Sequence, residues 1–389
     1  MSRLAERMPH IMTLPRALGT GMIIRSAAPL DDATRGEIRA FAAEYERLLS
    51  RFRPDSLVAA MRGAEHGGTF DFPEWAVPLF DLYDRLADAT DGAIDPCVGE
   101  DLTRLGYGAD LRFVMEPDAA GHLGSLRGRP TWRGDVERHG ATLVTKRPVS
   151  LDFGACGKGY LVDLIAALIG ESAAIDDPHG ALLIDAGGDL LVRSPEEPVT
   201  IALEDPWDSD NAVGVAAMSG GAFCASAPSR RQWGQAAGHR LHHLINAIDG
   251  RPADDVAAAW VAVAAGLSAE PTATQAAKPR TMQAGSPTAA RTGKTLDEPS
   301  TAWAAESHGK PPAKPRVEPL VALADGLATA LFVSRADRLR ARFAFDCAIV
   351  RSDRTAAVSP RFPGRLFACD PRARGPFAHD TDTSDDSVQ

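Results

Sequence analysis

The chain has 389 residues, 44% of them hydrophobic and 24% charged, and a formal net charge of −10. That is enough chain for one large core or two lobes, and the acidic balance excludes a nucleic-acid binder, whose footprint is a basic face. Five scattered cysteines without a CxxC pair exclude a zinc ribbon and a disulfide framework and read as reduced thiols of a cytoplasmic protein.

The first residues, MSRLAERMPHIMTLPRALGT, hold no sustained apolar stretch of a signal peptide and no lipobox. No apolar run approaches the length of a membrane span. Residues 1–18 are expected to be a flexible N-terminus, and 22–26 a first strand. From Asp31 a helix is signalled. Asp31 and Asp32 offer caps, and Ile38, Phe41, Ala42, Tyr45, Leu48, Leu49 and Phe52 fall at helical spacing. Pro54 and Asp55 then make a turn. A second helix is predicted over 74–89, with Val77, Phe80, Tyr83, Leu86 and Ala87 on one face. Gly92 stops it, within Thr90-Asp91-Gly92-Ala93-Ile94-Asp95-Pro96. Asp95 precedes a proline and is biased to an extended backbone; a turn carboxylate and a ligand contact are both open for it. Residues 106–140, rich in Gly, Arg and His, read as surface loops, with a hairpin as the alternative.

The most site-like stretch is 150–163, SLDFGACGKGYLVD. A short extended piece (149–153) runs into a glycine-punctuated turn, and an apolar helix follows over 160–169, with Gly170 placed to end it. Such a turn lets backbone approach a ligand closely, and the helix start offers unpartnered N–H groups to an anion. It is not a Walker loop, because the glycine spacing is too short and Gly159 stands where Ser or Thr should follow Lys158. A tight turn with a solvated lysine reads equally well from these residues.

A buried-type strand at 181–185 ends in Ala186-Gly187-Gly188-Asp189, and further strands are predicted at 199–204, 221–226, 256–265 and 343–350. Residues 226–231 form a polar loop. Leu241-His242-His243-Leu244-Ile245-Asn246 puts paired histidines before a turn at Asp249-Gly250; a hydrogen-bonded structural histidine and a catalytic base are both open. Residues 271–316 carry seven prolines and one aromatic, Trp303, so the segment cannot bury a core and is expected to be a disordered insertion. Residues 320–333 form a helix apolar nearly all round, hence buried. Asp325 and Thr329, four apart, stack on one face of it. A carboxylate there is costly unless paired or metal-bound, and Asp plus Thr supplies hard oxygen ligands suited to Mg²⁺ rather than zinc. The tail, 371–389, is acidic and polar and expected to be disordered.

These pieces together resemble the ApbE family of FAD:protein FMN transferases over most of 19–365 apart from the insertion. ThrAspGlyAlaIleAspPro at 90–96 resembles the family's sdGafDP, and LeuAspPheGlyAlaCysGlyLysGlyTyrLeuValAsp at 151–163 its DlGgiaKGyavD. LeuIleAspAlaGlyGlyAsp at 183–189 resembles its strand ending in GGD. HisLeuIleAsn at 243–246 with Gly250 resembles its HIIDPrtG. AlaAspGlyLeuAlaThrAlaLeuPheVal at 324–333 resembles its aDalaTalfvlG. Each motif is weak alone; five in order are specific.

The resemblance implies an α+β fold with a mixed, largely antiparallel sheet flanked by helices and FAD in a cleft. The domain would run from 19 to 370, interrupted by 271–316. It implies Mg²⁺ on Asp325, Thr329 and the Gly157 carbonyl, and FAD contacts from Ala93, Ile94, Asp95, Gly154 and Tyr160, with the Gly187-Gly188 turn nearby. It also implies His243 as the base that activates a Thr or Ser hydroxyl of an acceptor protein, with AMP leaving. Three positions depart from the family pattern. Asn246-Ala247 replaces Asp-Pro, Asp249-Gly250 replaces Thr-Gly, and Ser226-Ala227-Pro228 replaces the usual Ser-Gly. They leave open an FAD-binding protein with little or no transferase activity, or an FAD pyrophosphatase giving FMN and AMP.

Overall fold

The computed structural model describes residues 3–171, 180–236, 239–265 and 318–367; the segment 271–316 and the tail 371–389 lie outside them. Eight strands form one sheet whose spatial order follows the chain. They are His10–Leu14, Met22–Ser26, Leu182–Asp185, Asp189–Arg193, Gly220–Ser226, Val256–Val263, Asp346–Arg351 and Ala356–Val358. Every neighbouring pair is antiparallel. The longer connections between neighbouring strands carry the helices, which therefore collect on one face.

Side-chain alternation sorts the two faces. Ala222, Cys224, Val261 and Val263 join the larger core beneath the helices. Phe223, Trp260 and Ala262 point the other way, into a second core. That second core is covered by a three-stranded sheet of Val199–Asp205, Asp208–Met218 and Gly364–Leu366. The result is an α+β architecture of helices, central sheet and a smaller sheet, the class expected from the sequence.

The helix Asp32–Leu49 starts where its cap predicts: Asp31 Oδ1 accepts the Thr34 N–H at 2.8 Å. Its apolar stripe of Ile38, Phe41, Tyr45 and Leu48 is buried. The segment expected over 74–89 is a 3₁₀ turn, Glu74–Ala76, followed by the helix Val77–Ala89. Two helices lie on the sheet at its centre, Gly157–Glu171 and Leu320–Ala330. Gly159 is what lets them touch, since a Cβ there would stand 2.5 Å from the Val321 carbonyl oxygen. The Leu320–Ala330 helix has no cap from its own N-terminal residue. Asp163 supplies one from the other helix, accepting the Val321 and Ala322 N–H groups at 2.9 Å each. Four orphan N–H groups at a buried helix start need such a partner.

Several expectations are corrected. Residues 3–18, expected to be flexible, hold a short helix and the first strand of the sheet, because Met8, Met12 and Leu14 bury in the two cores. Gly170 does not end its helix, which runs on to Glu171. The last core strand starts at Asp346, after the turn that buries Phe343 and Phe345. The 106–140 stretch holds 3₁₀ turns and a short helix, and its last strand, Val136–His139, pairs with Thr142–Thr145.

Candidate functional site

The glycine turn is more fully engaged than its sequence implies. Gly154 is exposed, but its N–H donates to Asp152 Oδ1 at 2.6 Å, and Asp152 is also paired with the buried Arg51. The Gly157 carbonyl accepts from the Tyr45 hydroxyl at 2.8 Å. Burial pushes the Tyr45 pKa far up, so this donor stays protonated. Gly157 also opens the helix Gly157–Glu171, so its carbonyl serves the first turn of that helix as well and both of its lone pairs are engaged. Tyr160, expected at the flavin, turns its side chain into the core instead. It is fully buried and its hydroxyl donates to the Trp75 carbonyl at 2.5 Å. The cause is its place on a helix that is apolar on all sides, where the Tyr160 face meets Trp75 rather than a cleft.

The strongest concentration of charge lies where this turn meets the Leu320–Ala330 helix. Lys158 Nζ is bonded to Asp189 and lies 3.2 and 3.3 Å from the two oxygens of Asp325. Asp325 Oδ2 also accepts the Gly159 N–H at 3.2 Å. Both carboxylates are buried, Asp189 at 0% and Asp325 at 2% exposure. Burial raises the pKa of each, and they repel one another; Lys158 pulls both back down. For Lys158, burial acts to lower its pKa, but Asp189 and Asp325 outweigh it and hold the ammonium charged. Two carboxylates against one ammonium leave an excess negative charge, and Asp189 Oδ1 finds no hydrogen-bond partner among the described residues. One turn on from Asp325, Thr329 Oγ1 lies 3.4 Å from Ser226 Oγ. Asp189 reaches Lys158 because the Gly187-Gly188 turn, with φ of 71° and 102°, reverses the chain just before it.

This donor set fits a small hard cation. Asp325 and Thr329 carry hard side-chain oxygens one turn apart, Asp189 Oδ1 is a buried acceptor without an aligned hydrogen-bond partner among the described residues, and Lys158 Nζ stands against both Asp325 oxygens. Among the described residues no three His, Cys, Asp or Glu side chains form a dedicated cage.

The paired histidines divide their roles. His242 is buried, and its Nδ1 accepts the Leu244 N–H at 3.2 Å, a structural part. His243 Nδ1 lies 3.3 Å from the Arg231 carbonyl. With Nδ1–H donating there, Nε2 keeps its lone pair. Burial lowers the His243 pKa to about 4; the hydrogen bond to the Arg231 carbonyl acts against it, and the Arg231 charge, His242 and Lys158 add smaller effects in the lowering direction.

The residues after His243 explain one departure. Asn246 Oδ1 accepts the Ile248 N–H at 2.9 Å, a turn bond that aspartate would make equally well. The Ala247 N–H, which proline would lack, donates to the Ala93 carbonyl at 3.0 Å. Ala93 and Ile94 are buried and form the wall of this loop. Asp95 caps the turn, accepting the Cys97 N–H at 2.8 Å and the Trp132 N–H at 3.0 Å. It also borders a cleft of about 350 Å³ shared with Asp91, Gly92, Thr131 and Ile248.

Of the expected site residues, Gly157, Asp325 and Thr329 lie about Lys158, and His243 is tied to the Arg231 carbonyl. Ala93, Ile94 and Asp95 join the histidine loop through Ala247. Sequence reasoning assigned no role to Asp189, although it quoted the Gly-Gly-Asp motif; a carboxylate closing a buried strand turn was the available signal. It passed over Arg129 without remark.

Known proteins provide the comparison. The model of the ApbE family matches residues 18–282. A FAD:protein FMN transferase of Klebsiella pneumoniae is 26% identical over 228 residues, 57% of this chain and 63% of that relative. The match thus spans less than two thirds of that relative's length. One from Escherichia coli K12 is 24% identical over 244 residues, 60% of this chain and 68% of the relative. In structure, the ApbE protein of Thermotoga maritima superposes with a TM-score of 0.63 at 19% identity, covering 90% of this chain and 97% of its own. The flavin transferase ApbE of Vibrio cholerae gives 0.62 at 17% identity, covering 90% and 96%. At such identities the structural likeness speaks for the fold. The five motifs, the shared fold and the match to more than half of its residues place the chain in one group: it belongs to the ApbE family.

Proposed function

We propose that this protein moves FMN from FAD to a Thr or Ser hydroxyl of an acceptor protein and releases AMP, with Mg²⁺ as its metal. The observation that carries the reading is the pair of buried carboxylates, Asp189 and Asp325, sharing the single ammonium of Lys158 beside the Thr329 hydroxyl. The residues that would hold Mg²⁺ are Asp325, Thr329 and the Gly157 carbonyl. When bound, the metal would neutralise pyrophosphate oxygens, which is most of what phosphoryl transfer asks of a protein.

The chain's own groups account for the rest. The acceptor oxygen attacks the phosphorus of the FMN half, and the P–O bond to the AMP half breaks. AMP leaves with that bond's electron pair. The acceptor's proton passes to His243 Nε2, which burial keeps neutral and ready at pH 7. Ala93, Ile94 and Asp95 are the proposed flavin-side wall, with the exposed Gly154 turn at its edge. The same reading takes the chain as one domain that begins with the strand His10–Leu14 rather than at 19 and is interrupted by 271–316, and it places the protein in the cytoplasm.

The deciding experiment incubates the protein with FAD, MgCl₂ and host proteins, then looks by mass spectrometry for an added FMN. Labelled acceptor together with AMP supports transfer. AMP and free FMN without labelled protein favour the pyrophosphatase alternative. FAD binding with no AMP at all favours a binding protein.

A further inference from the structure

Arg129 is an arginine whose side chain is 0% exposed, in a loop region of the sequence. Burying a guanidinium is costly unless every face of it is used. Here its Nε is ion-paired with the fully buried Asp101, 2.7 Å from Oδ2, a charge contact in which neither atom is aligned for a hydrogen bond. Nη1 donates to the Pro130 carbonyl at 2.5 Å and Nη2 to the Ala247 carbonyl at 2.6 Å. Asp95 Oδ1 lies 4.0 Å from Nη1. Asp101 in turn accepts the Gly124 N–H at 3.0 Å. The chain is pressed close here: a Cβ on Gly124 would stand 2.4 Å from the Ile248 carbonyl oxygen.

Three separate segments therefore meet on one side chain: the Ala93–Asp95 wall, the 124–132 loop and the turn that follows His243. No hydrophobic residue could join them, because what they present to Arg129 is carbonyl oxygen and carboxylate. A planar fork with five donors in fixed directions suits this, and a lysine does not.

We propose that Arg129, held by Asp101, is a positioning residue that fixes the Ala93–Asp95 wall against the histidine loop and so sets the shape of the flavin site. The proposal rests on the flavin reading of that site. A single rigid clamp between wall and base is the arrangement that a reaction sensitive to small misplacements requires.

The test measures FAD affinity of the full chain by flavin fluorescence, with circular dichroism confirming the fold. Arg129→Lys keeps the charge but loses the fork, and Arg129→Ala opens space for added guanidinium. The expected result is FAD binding weakened by about tenfold or more in both, as for loss of other outer-shell partners, with recovery in Arg129→Ala on adding guanidinium. Folded variants that bind FAD as tightly as wild type overturn the positioning role. So does weak binding in Arg129→Ala that guanidinium leaves unmoved. If the Arg129 variants do not fold, Asp101→Asn takes their place; it leaves the fork but frees it, and unchanged FAD affinity there overturns the proposal. A wild-type chain that binds no FAD defeats the flavin reading itself, whereas wild-type binding equalled by the variants defeats only the role of Arg129.

Discussion

The backbone N–H of Ala247 donates to the carbonyl of Ala93 at 3.0 Å, joining the turn after the candidate base to the candidate flavin wall. The family pattern that this chain resembles has proline at that place, which carries no N–H. The departure adds a hydrogen bond at that place. Ala247→Pro is expected to fold and to lose about 1 kcal/mol of stability, the net worth of one hydrogen bond. Urea unfolding of the two proteins measures it, and equal midpoints would show that the bond contributes nothing.

Lys158 holds two buried carboxylates together. Lys158→Met leaves Asp189 and Asp325 facing each other without a counter-charge, and a loss of roughly 3 kcal/mol or more is expected. Adding MgCl₂ should return part of it by binding the folded form. The double variant Lys158→Met with Asp189→Leu should be more stable than the single. Chemical denaturation with and without metal reads all three.

Asp325→Ala removes the one carboxylate of the proposed metal site. In the presence of FAD, the wild-type melting temperature should rise with MgCl₂ and that of the variant should not. A variant that responds like wild type places the metal elsewhere.

His243 gives a pH dependence with a defined sign. Its folded pKa of about 4 lies below the ordinary histidine value of 6.5, chiefly through burial. Between those values the unfolded chain binds a proton that the folded chain refuses. Stability is therefore intact above pH 6.5 and falls as pH drops toward 4. His243→Gln should flatten that part of the stability profile. The acid limb of transfer activity should likewise lie well below the usual histidine range, and a limb near 6.5 would contradict the burial.

Gly159→Ala tests the helix contact on which the site stands. The added Cβ would sit 2.5 Å from the Val321 carbonyl oxygen, and backbone cannot yield as a side-chain tip does. A loss of about 1–3 kcal/mol is expected, the usual cost of overpacking. Because Asp325 is tied to the Gly159 N–H, the Mg²⁺ response should weaken in parallel.

Much of the fold was legible because its signals are local. Asp31 announced a helix through a cap bond to a residue three places on, and the apolar periods of 32–49 and 320–330 named the faces that bury. The strands 182–185 and 220–226 were visible as apolar runs. The edge strand 10–14 and the long strand 208–218 were not. The first hides its alternation behind a charged start, and the second begins with four exposed polar residues, Asp208, Ser209, Asp210 and Asn211. Asp163 was read as one carboxylate of a motif; only its bonds to Val321 and Ala322 identify it as the cap of another helix.

The 150–163 stretch, the Asp325/Thr329 spacing and the family motifs were determined by the sequence alone, because spacing along a helix and glycine in a turn act within a few residues. The tertiary structure decided which groups share a charge. It placed Asp189 and Asp325 on one Lys158, turned Tyr160 inward to Trp75, and gathered three loops on Arg129. The physical reason is that the energy of a buried charge depends on partners far apart in the chain. Local sequence cannot encode a distance across a fold, whereas a packed core fixes it.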